Sequence, residues 1–244
     1  MPSAARAGNS YFVATSLPRP CPFRFRRRIW HYTQAVIAGV VFRRQAMPKG
    51  RLEAFSDGVL AILITIMVLD LRIPRGASDL AALRAVLSPF VAYVLGFLYI
   101  GIYWNNHHHL FQASHSVNGK ILWANLHLLF WLSLIPAVTA WMGQQPFRLG
   151  PAVIYGLVLF MSGVTYIILQ RSLVKHHGKD SRLQRAMGSD AKGKLSIALY
   201  TLAIALAFVN PRIPYVLYLA VALIWLIPDP RIERSLEKGN SAVA

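Results

Sequence analysis

Four residues near position 50 place charge and polarity where an apolar segment begins. Arg51, Phe55, Ser56 and Asp57 lead directly into the run 58–69, whose side chains are apolar apart from one threonine. At helical spacing these residues fill the first two turns of a single helix. Because charged and polar groups are costly in a bilayer, their presence at the head of an apolar helix indicates a structural or functional task.

Two interpretations of these residues are open. In the first, they anchor the helix at the membrane interface: Arg51 extends to the lipid headgroups and Asp57 stabilises the start of the helix. In the second, they form a buried polar network that holds the helix against its neighbours, since Asp57 lies too deep to stay ionised without a partner. Gly58 then serves close helix packing. At the outer end of this helix, Asp70 either attracts cations or pairs with a nearby arginine, Arg72 or Arg75, and the pairing with Arg72 is the favoured interpretation.

Histidines are the other residues with obvious chemical potential. They are consecutive at 107–109 and adjacent at 176–177, while His31 lies far from the others. Consecutive histidines point to different sides of a helix, so they do not converge on a metal ion. No metal or cofactor site is therefore predicted. We interpret the histidines as an interfacial cluster of satisfied side chains that can respond to pH.

The composition is that of an integral membrane protein. Hydrophobic residues make up 55% of the chain, charged residues 14%, and the mean hydropathy is +0.44. A soluble domain typically has about 25% charged residues. The net charge of +17 lies in the N-terminal region and in segments beside apolar spans, which is typical of membrane topology and not of nucleic-acid binding. One cysteine, Cys21, excludes an intrachain disulfide.

Six apolar segments of helical length follow the N-terminal region, so the sequence predicts an all-α, polytopic protein with six transmembrane helices. They cover approximately residues 52–71, 86–105, 121–142, 151–170, 195–209 and 213–227. Pro136 predicts a kink in the third segment. The last two are short and are joined by the tight turn 210–214. A broken hairpin that does not fully cross the membrane is the alternative for this pair.

The distribution of basic residues predicts the orientation. With the N-terminus inside, the inner segments hold 21 Lys and Arg and the outer loops hold 5. Because basic loops stay on the cytoplasmic side, the prediction is N-in and C-in. Three regions result: a basic extension at 1–48, a six-helix membrane domain at 49–230 and a short tail at 231–244. Met47 is the alternative start of translation, and a basic tail lying on anionic lipid is the other interpretation of the extension.

The pattern Arg-x-x-x-Phe-Ser-Asp at 51–57 resembles the signature of the transmembrane protein 175 family, the endolysosomal potassium channels and their prokaryotic relatives. Trp104 followed by paired histidines, and Thr65 in the first helix, are also typical of prokaryotic members. The similarity is most specific in the first helix and weakest in the last three spans.

The resemblance implies that the first helix lines a pore. The family's constriction residue lies five positions after the aspartate of the signature, which is Ile62 here, and Ile66 and Leu69 occupy the following turns with Thr65 beside them. Branched residues in a span are by themselves usually packing residues, and the pattern alone does not separate a lipid face from a pore face. The resemblance also implies a helix-packing network: Arg51, Phe55, Ser56, Asp57, Trp104, His108 and Asn125.

The implied function is a potassium-selective leak channel in the cell membrane, and not an enzyme. There is no internal repeat, so a pore needs several copies around one axis, and the family implies a homotetramer. Potassium ions and membrane lipid are the expected partners, with no cofactor. One alternative is proton conduction or proton-coupled transport through Asp57 and the inner histidines. A second alternative is a histidine-cluster membrane metalloenzyme.

Overall fold

The computed structural model describes residues 48–74, 76, 78–178 and 190–226. All helices described here belong to the unit Ala46–Ala244. The predicted extension up to residue 47 and the predicted tail 231–244 lie outside the described residues. The described residues form seven helices: α1 Gly50–Leu69, α2 Asp79–Gln112, α3 Gly119–Ser133, α4 Ile135–Gln144, α5 Leu149–His177, α6 Ala191–Ala207 and α7 Ile213–Leu226.

Four segments in the described part of the chain are long and apolar enough to cross a membrane. They are α1, α2, the α3–α4 pair taken as Gly119–Gln144, and α5. The prediction of an all-helical, multi-pass membrane protein is therefore confirmed in its coarse form. The second helix extends beyond the predicted 86–105 at both ends, with a mostly apolar segment at 79–85 and a histidine-rich segment at 106–112.

The third span is interrupted near its middle. Helix α3 ends at Ser133 and α4 begins at Ile135, which places Pro136 in the first turn of the new helix. Proline is tolerated there because the first amides of a helix have no partner within it. The kink expected at this proline is thus a break between two helices.

The last two helices are shorter than a bilayer core. Helix α6 has 17 residues and α7 has 14, so they are about 25 Å and 21 Å long, against a hydrocarbon thickness of about 30 Å. The turn between them is closed by the Arg212 backbone amide, which donates to Asn210 Oδ1 at 3.0 Å. The length of these two helices is why the count of six complete crossings remains a proposal.

Tyrosines join α2, α5, α6 and α7 in the middle of the bundle. Tyr99, Tyr155, Tyr200 and Tyr218 are buried, with neighbouring ring centroids 5.4 to 6.4 Å apart. Gly156 makes the close approach possible, since a Cβ there would lie 2.1 Å from the Tyr218 hydroxyl. This cluster holds the C-terminal helices against α2 and α5 through packing rather than ion pairs.

Candidate functional site

Helix α1 has one buried face and one exposed face. Leu60 and Met67 are almost fully buried, at 1% and 2% exposure, and they pack against α2 and the α3–α4 pair. Ser56 lies on the same face and is completely buried. The spacing of these residues matches one side of an α-helix. The orientation of α1 in the subunit is therefore set by the buried face.

The predicted constriction residues lie on the exposed side of α1. Ile62 is 56% exposed, Ile66 44% and Leu69 74%. Thr65 is exposed as well, and its hydroxyl donates back to the carbonyls of Ala61 and Ile62 at 3.2 and 3.0 Å. Within one subunit, this apolar stripe contacts no core, so lipid or another subunit covers it in a membrane.

A chain of hydrogen bonds connects three helices behind this face. Asn125 Nδ2 on α3 donates to Ser56 Oγ on α1 at 2.9 Å, and its Oδ1 lies 2.8 Å from His107 Nε2 on α2. Because Oδ1 can only accept, His107 donates from Nε2. Ser56 then donates to the carbonyl of Leu52 at 2.9 Å. All three polar side chains are buried and satisfied, which ties α1 to α2 and α3 at fixed positions.

The acid of the signature has a separate partner. Trp104 Nε1 on α2 donates to Asp57 Oδ1 at 3.1 Å, and the Trp104 ring stacks on His108 with centroids 6.0 Å apart. Asp57 is half-buried and lies in the second turn of α1. The acid in the first turn is Glu53, so the suggestion that Asp57 stabilises the helix start is wrong.

The remaining signature residues take positions at the surface of the subunit. Arg51 and Phe55 are exposed, and in the described residues Arg51 has no ion-pair or hydrogen-bond partner. Gly58 is also exposed, and a Cβ there would meet nothing within 4 Å. The close packing expected at Gly58 is therefore not made within the subunit.

Lys49 fastens the start of α1 to the end of α2. Its ammonium group donates to the carbonyl of Phe111 in the last turn of α2 and forms an ion pair with Glu53 at 3.3 Å. A cation at a helix C-terminus satisfies a carbonyl without an intrahelical partner. Lys49 was not selected from the sequence, because nothing in the sequence brings the ends of two helices together.

His107 is the network residue that sequence reasoning missed. The sequence analysis selected His108, whose ring contacts Trp104, whereas the buried hydrogen bond to Asn125 is made by His107. The helical spacing of α2 could have identified His107. One buried side of this helix contains Gly96, Tyr99, His107 and Leu110. His108 is one residue later and is exposed.

Two further histidines join α5 to the α2–α3 connection. His177 Nε2 accepts from the backbone amides of His115 and Ser116 at 3.1 and 3.4 Å, and its Nδ1 lies 3.0 Å from the carbonyl of Leu173. His176 lies within hydrogen-bond distance of Ser116 and Asn118. Across residues 48–178 and 190–226, no three His, Cys, Asp or Glu side chains are placed to hold one metal ion.

The ion pair expected between Asp70 and Arg72 at the outer end of α1 is not formed. The backbone turns sharply here, since the Arg72 amide donates to the carbonyl of Asp70 at 3.0 Å. Asp70 instead lines a small cavity of about 10 Å³ together with Tyr93 and Gln144. Arg75, the other expected partner, lies outside the described residues.

Comparison with known proteins places this site in context. A family model described as endosomal/lysosomal potassium channel TMEM175 matches residues 51–136, a range that contains every residue of the predicted constriction and network. A curated potassium channel of Chryseobacterium sp. (strain P1-3) is 55% identical over 193 residues, covering 79% of this chain and 100% of that protein. The human endosomal/lysosomal proton channel TMEM175 is 38% identical over 78 residues, or 28% of this chain and 16% of that protein.

A solved structure has the same fold. It is the crystal structure of a lysosomal potassium-selective channel TMEM175 homolog from Chamaesiphon minutus, with a TM-score of 0.63 and 25% sequence identity. The match covers 73% of this chain and 96% of that chain. The similarity in fold therefore extends well beyond the range of the family model.

Proposed function

Since this chain belongs to the TMEM175 family, we propose that it forms a leak-type potassium channel in which four copies surround one pore. The protein is a potassium-selective channel and not an enzyme, as its family and its relatives named potassium channels indicate. Helix α1 of each copy lines the pore, and Ile62, Ile66 and Leu69 form successive apolar rings. Potassium ions pass down their gradient without a cofactor.

The observation that carries this proposal is the division of α1 into two faces. The buried face is fully occupied by contacts within the subunit, while Ile62, Ile66 and Leu69 project from the other side. A helix that is fixed on one side by core packing and by the Ser56–Asn125 hydrogen bond presents its other side at a defined angle. Symmetric copies can therefore bring the three residues to one axis without rebuilding the subunit.

In the described part of the subunit, a cavity of about 40 Å³ is lined by residues of α2, α5, α6 and α7. Helix α1 contributes nothing to that lining. A path that uses α1 thus needs a surface between copies.

Rings of aliphatic side chains discriminate through hydration. They provide no oxygen ligands, so an ion must give up part of its water shell or the ring must stay dry. Potassium, the larger ion, holds its water less tightly than sodium, so removing part of its hydration shell costs less free energy. Partial dehydration at such rings therefore favours potassium over sodium.

We further propose six membrane crossings with both termini inside, in the cell membrane. The bias of 21 inner to 5 outer basic residues supports the orientation. Helices α6 and α7 complete the six as a pair that crosses by tilting less and by local thinning of the bilayer, since each is shorter than the hydrocarbon core.

The test is cation flux from liposomes that contain the purified protein, with potassium inside and sodium outside. A proton ionophore supplies charge compensation, and the reversed gradient is run in parallel. Potassium efflux faster than sodium flux is expected. In Ile62→Ala the constriction widens, and we expect the potassium-to-sodium ratio to fall severalfold while total flux rises.

The matched control is Ile64→Ala. Ile64 has the same side chain two positions along the same helix, but it is partly buried against the core of the subunit. Its truncation should leave the selectivity ratio unchanged. Equal selectivity in both variants, with intact tetramers on size-exclusion chromatography, would remove Ile62 from the pore.

Proton conduction is the second candidate function, favoured by the name of the human relative as a proton channel. Its pathway through Asp57 predicts acidification of the liposomes without ionophore, abolished in Asp57→Asn. One structural feature opposes it: Asp57 accepts from the indole N–H of Trp104, and within the described residues it does not join the buried chain of His107, Asn125 and Ser56. Acidification insensitive to Ile62→Ala but lost in Asp57→Asn would favour this candidate over the potassium pore.

A further inference from the structure

A partly enclosed cavity lies between α2, α5, α6 and α7, at the membrane face where α1 begins. Its volume is about 40 Å³, measured as the space open to the centre of a water molecule. Five aromatic side chains from all four helices contribute to its wall. They are Tyr99, Tyr103, Tyr166, Tyr200 and Trp225. We refer to it as the aromatic cavity.

The polar tips of these aromatic residues are largely occupied by the protein itself. Tyr99 and Tyr166 donate their hydroxyl protons to backbone carbonyls at 2.7 and 3.1 Å. Trp225 donates its indole N–H to Ser196 Oγ at 2.8 Å. Their donors are thus unavailable to an anion, and what these residues add to the cavity is ring surface, whose face carries partial negative charge.

The non-aromatic lining is also electronegative. Asn106 donates its Nδ2 to the carbonyl of Ile102 at 2.7 Å, which leaves its side-chain oxygen as an acceptor. Asp190, at the start of α6, contributes the carboxylate, and none of the described lining residues is Lys, Arg or His. The cavity therefore favours a cation.

Burial raises the pKa of the Asp190 carboxyl, while the backbone N–H of Gly193 and the cations of Lys194 and Arg171 oppose that shift. A carboxylate that loses hydration and has no direct ion-pair partner is stabilised in its charged form by a bound cation. In the described residues its side chain forms no ion pair within 4.0 Å.

We propose that the aromatic cavity binds a small organic ammonium ion, with the aromatic rings around its alkyl groups and Asp190 as the counter-charge. Proteins commonly recognise quaternary ammonium ions by holding them against the faces of aromatic rings. An ammonium ion that carries alkyl groups suits this lining better than a bare alkali ion, because five aromatic rings contribute to the wall beside the oxygen atoms. The proposal is independent of the pore, since α1 does not line this cavity.

The size of the cavity sets the range of ligands. A sphere with the measured volume has a radius of about 2 Å for the centre of a water molecule, so the walls lie about 3.5 Å from the middle. Tetramethylammonium fits such a space and tetrabutylammonium does not. A ligand with so few non-hydrogen atoms can gain only a limited binding free energy. The expected Kd therefore lies between about 10 µM and 10 mM.

The first experiment is calorimetric titration of the purified full chain, in maltoside detergent and sodium buffer, with tetramethylammonium chloride. We expect saturable binding of one ion per subunit. Tetrabutylammonium and the neutral tert-butanol serve as the size and charge controls. Equal heats for tert-butanol, or no saturation by tetramethylammonium at concentrations up to about 50 times the weakest expected Kd of about 10 mM, would overturn the proposal.

Two variants locate the site. Asp190→Asn removes the counter-charge, and Gly163→Leu fills the cavity, since Gly163 lies in its wall and an added Cβ would approach only the tip of Ile197 within 3.0 Å. Each should weaken binding at least about tenfold. Asp79→Asn, an exposed acid in the first turn of α2, is the matched control and should bind as the parent does.

Binding that persists in both Asp190→Asn and Gly163→Leu would refute the site, provided that both variants keep the parent's thermal unfolding midpoint. A variant that fails to fold is replaced by Trp225→Leu, which removes one ring of the wall. Ile62→Ala should retain full binding, and loss of binding there would assign the ion to the pore instead. Affinity should also fall as the pH drops through the raised pKa of Asp190, because protonation removes the counter-charge.

The ammonium group has two possible sources, a soluble metabolite or a lipid headgroup. Titration with choline and with dihexanoylphosphatidylcholine separates them, because only the second adds acyl chains. Stronger binding of the phospholipid, lost in Asp190→Asn, would identify a headgroup site. Equal binding of both, also lost in Asp190→Asn, would identify a soluble cation.

Discussion

The two faces of α1 differ in what holds them. The inward face packs Leu60 and Met67 into the core and places Ser56 in a hydrogen-bonded chain with Asn125 and His107. The outward face presents Ile62, Ile66 and Leu69, which are 44 to 74% exposed in the subunit. Residue types hardly distinguish the two faces, because both consist mainly of large aliphatic side chains.

This difference separates stability from conduction. A residue on the inward face cannot change without a cost to folding, since its neighbours are fixed. A residue on the outward face touches few atoms of its own subunit, so a substitution there has little effect on folding. If the outward face lines the pore as proposed, the constriction can change without weakening the fold that positions it.

The difference between the two faces is tested most directly by truncating one aliphatic residue on each face. Leu60→Ala, at a site with 1% exposure, should reduce the free energy of unfolding by about 2–5 kcal/mol through lost burial and the remaining cavity. Ile62→Ala, on the outward face, should change it by less than about 0.5 kcal/mol per subunit. Denaturant unfolding in mixed micelles, followed by tryptophan fluorescence, measures both.

Tetramer formation must be separated from subunit folding in that experiment. Unfolding is therefore measured at several protein concentrations, because only the loss of assembly depends on concentration. If Ile62→Ala proved as destabilising as Leu60→Ala within the monomer, the outward face would be part of the core and the comparison would fail.

A second prediction concerns the buried hydrogen bonds. Asn125→Ala leaves His107 Nε2 and Ser56 Oγ without their partner in a buried site, which should cost about 2–3 kcal/mol. Asn105→Ala, at an exposed position of α2, is the control and should cost little. The measurement is the shift in thermal unfolding midpoint in detergent. Similar midpoints for both variants would show that the network does not hold α1.

The smallest expected effect belongs to the bond at Asp57. Trp104→Phe keeps an aromatic ring beside His108 but removes the donor to Asp57 Oδ1. Because both residues are partly exposed, the loss should be about 1 kcal/mol. Potassium flux in liposomes should be reduced less than in Asn125→Ala. A larger flux defect than in Asn125→Ala would make Asp57, and not the buried chain, the main support of the pore helix.

Much of the network could be anticipated from the family resemblance. Ser56 with Asn125, and Asp57 with Trp104, come together in the structure as the resemblance implied, although their role in the channel remains a prediction. His107 was missed in favour of His108, because both are histidines and only the 3.6-residue spacing on α2 separates the buried from the exposed one. The predicted pairing of Asp70 with Arg72 was wrong, since the two side chains form no ion pair in the structure.

The sequence by itself determined the class of protein, the family and the existence of the long helices. These follow from uninterrupted apolar length and from local patterns such as the signature at 51–57, and both are properties of short segments. It also located the break at Pro136, because proline acts on its own helix.

Only the tertiary structure decided which face of each helix is buried and which residues from distant segments meet. Helices in a membrane are apolar on every side, so the pattern that marks the inward face of a soluble helix is nearly absent from α1 and α5. The aromatic cavity shows the same limit. Its wall combines residues from Tyr99 to Trp225 that no local pattern connects, and they become neighbours only when four helices pack together.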